Sequence, residues 1–289
     1  MLTTRRSVLA ALSSSILPSL RAEGDLPDIR SVPADLVVPE TTEGEPAAGK
    51  RVRQCGSGYA GTEVHHTIYL PVNWRPGRRY PIIVEYAGNG NYKNQYGDVS
   101  TGRVEDSKLG YGISAGRGLI WLCLPFVNSR EKKNQVIWWG DVEATVSYAQ
   151  NTISQVCDEY GGDRSAVIIA GFSRGAIGCN YIGLHNDEIA KLWLAFIPYS
   201  HYDGVITNWP YEGADRASAL RRLTRLNGRP VFVCQEKSVE STRAYIESTG
   251  IRAPFTFQRI AFRNHNDAWV LRDIPARRAL RGWLDKVLA

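Results

Sequence analysis

Ser165-Ala166-Val167-Ile168-Ile169-Ala170-Gly171-Phe172-Ser173-Arg174-Gly175-Ala176-Ile177 decides the reading of this chain. The run from Ser165 to Ala170, bounded by Asp163, is short, apolar and β-branched, which predicts a strand. From Arg174 to Leu184 the apolar residues recur at helical spacing, which predicts a helix. Between them, Gly171-Phe172-Ser173-Arg174-Gly175 fits the pattern Gly-x-Ser-x-Gly. Strand, sharp turn and helix are the surroundings in which that pattern presents a serine as a nucleophile. The turn puts Ser173 in a strained backbone conformation with room only for small neighbours, and Gly171, Gly175 and Ala176 are small. The helix then starts beneath the serine and aims its free N–H groups at the reacting centre. Without a catalytic role, the same stretch is a glycine-rich turn carrying a solvent-facing serine.

Outward from this stretch, strand-like runs alternate with amphipathic ones. Strands are predicted at 64–70, 80–86, 118–124, 165–170, 192–197, 230–234 and 255–262. Helices are predicted at 141–159, 174–184, 214–226, 239–248 and 274–288. The alternation predicts an α/β fold with a mainly parallel central sheet covered by helices on both faces. Neither an internal repeat nor a second-domain boundary interrupts it, so 51–289 reads as one domain. Residues 23–50, rich in Pro, Gly, Glu and Asp without a period, read as an irregular N-terminal arm. Residues 1–22 read as an export signal: Arg5 and Arg6 precede an apolar stretch of small residues, and Ala22 suits cleavage. Thr4-Arg5-Arg6-Ser7-Val8-Leu9 resembles a twin-arginine signal, so a periplasmic or extracellular location is expected.

Charge narrows the partners. The chain of 289 residues carries a formal net charge of +6. Arg5, Arg6 and Arg21 account for half of that excess and lie in the predicted signal, so the remainder gives no argument for nucleic acid. Arg221, Arg222 and Arg225 share a helical face and read as solvated. No internal apolar run approaches the roughly 20 residues of a membrane span. The five cysteines show no metal spacing, and Cys123 and Cys234 sit in strand-like runs as buried thiols. Export would permit one or two disulfides. With no phosphate loop and no metal-ligand cluster, neither cofactor nor metal is expected.

A serine hydroxyl needs a base within hydrogen-bond reach. His265 lies in Arg263-Asn264-His265-Asn266-Asp267, a polar loop between the last strand and the last helix, and is the candidate base. A carboxylate must then hold its tautomer. Glu236 is the first acid after the strand Val231-Phe232-Val233-Cys234, with Glu240 left open and Asp203 and Asp267 as weaker candidates. The oxyanion of the transition state needs two preorganised donors. These are the N–H of Arg174, next to the serine, and that of Asn89 in the loop Ala87-Gly88-Asn89-Gly90-Asn91.

Together these residues resemble the α/β-hydrolase superfamily, in particular its secreted serine carboxylesterase and depolymerase-like branch. The likeness extends from about Thr67 to Leu288 and includes Ile68-Tyr69-Leu70-Pro71-Val72-Asn73-Trp74 and Arg79-Tyr80-Pro81-Ile82-Ile83-Val84. Gly88-Asn89-Gly90 stands where such enzymes carry their oxyanion loop, with Ala87 in place of the usual histidine. Thr242-Arg243-Ala244-Tyr245 resembles the helix after the acid in some members, which puts Glu236 at the usual aspartate position. The resemblance implies the α/β-hydrolase fold and ester-type acyl transfer.

Tryptophans 121, 138, 139, 193, 209 and 269 offer aromatic faces near strand ends, although most tryptophans serve packing. The segment 198–229, ahead of the sixth predicted strand, reads as a small cap over the site. His201, Trp209 and Trp269 are the candidate substrate contacts. The expected activity is that of a secreted serine hydrolase acting on a small-molecule or polysaccharide-linked carboxylic ester. A serine peptidase would share the machinery, and a non-catalytic carbohydrate-binding descendant is the alternative from another class.

Overall fold

The computed structural model describes residues 26–289; the predicted export signal, 1–22, lies outside them. One nine-stranded sheet organises these residues. Its strands are β1 (Thr41–Thr42), β2 (Arg51–Gln54), β3 (His66–Tyr69), β4 (Tyr80–Tyr86), β5 (Ile120–Leu124), β6 (Gly162–Phe172), β7 (Ala195–Tyr199), β8 (Val231–Glu236) and β9 (Phe255–Ile260). In space they run β1-β2-β3-β5-β4-β6-β7-β8-β9. β3 is antiparallel to both neighbours, and from β5 to β9 every pair is parallel.

The helices are α1 (Leu109–Ser114), α2 (Val142–Tyr160), α3 (Arg174–Tyr181), α4 (Asp187–Ala190), α5 (Arg216–Leu223), α6 (Glu240–Thr249) and α7 (Pro275–Leu288). Side chains alternate across a strand, so each central strand feeds two cores. Ile82, Val84 and Tyr86 of β4, with Val167 and Ile169 of β6, join a cluster that includes Ile153 of α2, Ile177 of α3 and Ile246 of α6. Ile83, Ile168, Ala170 and Phe172 face the other way, onto Ile113 of α1 and Leu280 and Leu284 of α7. Burial on both faces explains why these strands read as continuous apolar runs.

Helix α1 was not among the predicted helices, because Leu109-Gly110-Tyr111-Gly112 carries no helical signal of its own. The reason for it is distant in sequence. Glu85, wholly buried on β4, accepts hydrogen bonds from the N–H groups of Lys108, Leu109 and Gly110 at 3.1, 3.1 and 2.9 Å, and from Trp121 Nε1 at 2.7 Å. Residues 26–50 are tied down at several points. β1 joins the sheet edge, Arg277 pairs with Asp35 at 2.6 Å, and Ile29 N–H donates to Asn264 Oδ1 at 2.7 Å.

β4 and β6 are adjacent, yet the chain leaves β4 toward β5 on one side and enters β6 on the other. Such a reversal of strand order opens a crevice beyond the carboxyl ends of the strands. The loop after β4 carries Asn89, and the turn after β6 carries Ser173.

Candidate active site

Ser173 sits between β6 and α3 with φ 54° and ψ −112°, a positive-φ conformation that a non-glycine residue holds only where its surroundings impose it. Its N–H donates to Tyr199 O at 2.9 Å. A Cβ on Gly175 would lie 1.9 Å from Tyr86 O, and one on Gly171 would lie 2.1 Å from Gly175 O. β4, β6 and α3 therefore meet backbone to backbone, and only glycine fits at these two positions. The contact at Gly175 is also what brings the start of α3 against the chain leading to Asn89.

His265 follows β9, and its Nε2 lies 3.2 Å from Ser173 Oγ. Its Nδ1 is hydrogen-bonded to Glu236 Oε1 at the end of β8. With Nδ1–H given to the carboxylate, Nε2 is left to accept the serine proton. Burial pushes the Glu236 carboxyl up, but its hydrogen bond and charge interaction with His265 outweigh that and hold it below the usual carboxylate range. Of the two acids left open by the sequence, Glu236 is thus the one at the histidine. Glu240 is exposed at the start of α6, 3.5 Å from Arg243. Asp203 and Asp267 are engaged elsewhere, with Arg222 and Lys108 respectively, each at 2.8 Å.

Two supports of this line escaped sequence reasoning. Ser200, at φ 86° just past β7, donates from Oγ to Glu236 Oε1 at 3.0 Å and lies 3.1 Å from His265 Nδ1. Asp98 holds the histidine loop as a whole. Its Oδ2 accepts from His265 N–H at 2.8 Å and Asn94 Nδ2 at 2.7 Å; its Oδ1 accepts from Asn264 Nδ2 at 2.9 Å and Asn266 Nδ2 at 2.5 Å. Burial raises this carboxyl, and the four donors more than reverse the effect, so it titrates below its ordinary value. The asparagines flanking His265 were the available signal; nothing in the loop Asn94-Gln95-Tyr96-Gly97-Asp98 marks its acid as their partner.

The N–H groups of Asn89 and Arg174 find no acceptor among the described residues. The Arg174 side chain is another matter. It is 1% exposed, with its guanidinium 4.2 Å above the ring of Phe126. It donates to Trp138 O at 2.5 Å and more distantly to Gln135 O and Gly102 O, at 3.4 and 3.5 Å. Burial without a carboxylate partner pulls it down to about 9, so it remains a cation at neutral pH. Trp138, at φ 51°, in turn donates its N–H to Asn89 Oδ1 at 2.8 Å. A chain of contacts thus runs from Arg174 through Trp138 to Asn89.

No family model matches the chain, and no curated protein matches it. Solved structures do. A structure from Bacteroides ovatus described as a dipeptidyl aminopeptidase IV aligns with a TM-score of 0.56 at 11% identity, over 82% of this chain and 35% of that one. One of two fungal esterases from Rhizomucor miehei aligns with a TM-score of 0.53 at 13% identity, over 84% and 85%. A feruloyl esterase module from Clostridium thermocellum, complexed with sinapinate, aligns with a TM-score of 0.51 at 15% identity, over 87% and 95%. The chain has the α/β-hydrolase fold. It spans about a third of the length of the first structure and nearly all of the last.

On this α/β-hydrolase frame, a cavity of about 310 Å³ opens over Ser173. Asn89, Arg174, His201, Trp209 and His265 all line it, together with Trp138 and Tyr92, which sequence reasoning did not single out as contacts. Trp269 does not reach it. That ring is 1% exposed and packs edge-on against Tyr199 at 5.5 Å, inside the core shared with α7. The expectation that Trp269 touches substrate is therefore corrected: its loop sits at the strand ends, but its side chain points into the molecule.

The segment after β7 brings His201 and Trp209 to the cavity. Arg222 of α5 secures it with a bidentate pair to the buried Asp203, at 2.8 and 2.9 Å, and lies over Tyr181. Arg222 was expected on a solvated face and is instead buried by this pair. His201 is drawn down to about 4 by burial and by the neighbouring His265, against the pull of Glu236. Its ring lies 5.6 Å from Trp209 and 5.5 Å from His265. All five cysteines are free, so none of the disulfides that export would permit is present.

Proposed function

We propose that the chain is a serine hydrolase that cleaves carboxylic esters through an acyl-enzyme intermediate. The observation that carries this reading is the hydrogen-bonded line Ser173–His265–Glu236, assembled from the ends of three strands of one sheet. Ser173 Oγ attacks the ester carbonyl carbon while His265 Nε2 takes its proton. The carbonyl oxygen becomes an oxyanion and accepts the N–H groups of Asn89 and Arg174. Collapse breaks the bond to the alcohol oxygen, which leaves with the proton held on Nε2. Water then attacks the acyl-serine carbon as the same nitrogen takes its proton, the bond to Ser173 Oγ breaks, and Oγ recovers that proton as the acid is released. Glu236 remains ionised throughout, which agrees with its lowered pKa, and stabilises the imidazolium formed in each half.

The substrate is proposed to be a carbohydrate-linked ester and the chain to be exported. The aromatic lining of the cavity and the N-terminal sequence respectively support these two points. A fluorophosphonate probe tests the chemistry. Ser173 is expected to be labelled, and Ser173→Ala to lose labelling and about 10⁶-fold in kcat on p-nitrophenyl acetate. Folded protein that is neither labelled nor active would refute the reading. Cell fractionation tests export, and retention of the full-length chain in the cytoplasm would count against it.

A further inference from the structure

Two cavities meet at Tyr92, His201 and His265. The one of about 310 Å³ touches Ser173, Asn89 and Arg174. The second, about 610 Å³, touches Ser200 and Glu236 on the far side of the histidine but none of those three residues. Acyl transfer gives the two spaces different occupants. The carbonyl carbon must lie against Ser173, with its oxygen toward the N–H groups of Asn89 and Arg174. The leaving oxygen must receive its proton from His265 Nε2, so the group attached to it extends past the imidazole.

The walls differ in the same sense. In the first cavity, Trp138 and Trp209 stand 5.3 Å apart, and Tyr211 backs Trp138 at 5.2 Å. The Trp138 backbone is pinned, its N–H by Asn89 and its carbonyl by Arg174, and its ring is packed against Trp139, Trp209 and Tyr211. A fixed wall of ring faces favours a flat apolar group. The second cavity presents Asn94, Tyr96, Ser238 and Ser241, and Lys237 and Arg263 also line it. Among the described residues that line it, the one carboxylate is Glu236, already bonded to His265. Hydroxyl and amide groups suit a hydroxyl-rich ligand, and an ammonium would find no acid of its own. His201, on the divide, makes no hydrogen bond among the described residues and is neutral above about pH 4, so its ring can donate to one hydroxyl or accept from another.

We infer that the crevice sorts the two halves of an ester across His265, with a planar aromatic acyl group against Trp138 and Trp209 and a polyhydroxylated, sugar-like alcohol in the polar arm. The inference rests on the serine-hydrolase reading, and its test keeps the two apart. Fluorophosphonate labelling and p-nitrophenyl acetate turnover report on the chemistry, and failure of both in folded protein overturns reading and inference together. With both present, kcat/KM is compared for cinnamoyl glucose, methyl cinnamate, hexanoyl glucose and cinnamoyl choline. Cinnamoyl glucose is expected to exceed each of the others by about tenfold or more. Ser241→Trp, at an exposed position on the polar arm, is expected to bring the glucose-to-methyl ratio toward one, and Trp209→Ala to do the same for the cinnamoyl-to-hexanoyl ratio. Circular dichroism and probe labelling establish that each variant is folded. Equal rates on the glucose and methyl esters, or ratios that do not move in these variants, would overturn the sorting while leaving the chemistry in place.

Discussion

Ser173 and His265 lie 3.2 Å apart and are held by opposite means. The serine is positioned by main chain: β6, α3 and the end of β4 touch backbone to backbone through Gly171 and Gly175. The histidine hangs on a loop after the sheet, and what fixes it is side chains. One buried carboxylate, Asp98, gathers its N–H and the amides on either side of it, and a second, Glu236, holds the ring. The first arrangement cannot yield without pulling the sheet apart. The second can be loosened one hydrogen bond at a time, so the two should fail differently when mutated.

The largest effect is expected at the elbow. Gly175→Val puts a branched side chain where a single Cβ would already lie 1.9 Å from a backbone oxygen. Soluble, cooperatively melting protein should be lost, and even Gly175→Ala should cost more than about 4 kcal/mol in chemical denaturation. A Gly175→Ala protein with the wild-type midpoint would mean that main-chain contact does not hold the serine. Next comes the acid. Glu236→Gln keeps the shape but can present an amide to Nδ1 and favour the wrong tautomer, so kcat on an activated ester should fall about 10⁴-fold with little change in melting temperature. Glu240→Gln, on the surface beside Arg243, should stay within about twofold. Reversal of these two outcomes would remove Glu236 from the line.

Asp98→Asn tests the other side of the comparison with a smaller expected effect. An amide NH₂ would replace one of two oxygens that together accept four N–H groups, leaving buried donors opposed. The cost should be about 2–4 kcal/mol, with kcat down about 100-fold as the imidazole drifts from Ser173. The pH dependence has a definite sign. The folded-state pKa of Asp98 is lowered, so its contribution is present above the unfolded value of about 3.9 and is lost as pH falls through the folded one. The wild type's thermal advantage over Asp98→Asn should therefore narrow below about pH 4 and hold steady above about pH 5. An advantage independent of pH would mean that the charge of Asp98 is not what anchors the loop.

The same division explains what could be read from the chain. Ser173 announces itself because its signature lies within a dozen residues, a β-branched strand, two glycines and an apolar helix, although the backbone it packs on at Tyr86 and Tyr199 is distant. The strands of the mainly parallel sheet were legible for a related reason, since strands buried on both faces need continuous apolar runs. His265 could be placed by chain order, and Glu236 only as one of two acids. Asp98 could not be found, because three of its four donors lie more than 160 residues away and a carboxylate in a polar loop has no signature. Helix α1 was missed on the same ground, its reason being Glu85 on another strand. Trp269 misled because a strand-end loop locates a backbone, while the direction of the side chain is decided by the core it fills.

Arg174 belongs to both regimes, and the smallest predicted effect separates them. Its N–H is placed by the elbow, while its guanidinium reaches away to Trp138 O and, through Trp138, steadies the loop that carries Asn89. Arg174→Lys keeps the N–H and the charge but loses the planar fork that spans several carbonyls. With one oxyanion donor intact and the other less well aimed, kcat should fall about tenfold on p-nitrophenyl acetate while KM stays within about twofold. The pH profile of kcat/KM should keep its shape, since neither His265 nor Glu236 is touched. Arg174→Met, which removes the donors and the charge together, should lower kcat further with the same unchanged KM. A rise in KM at constant kcat would instead place the guanidinium against the substrate, and the two oxyanion donors would then be positioned independently of each other.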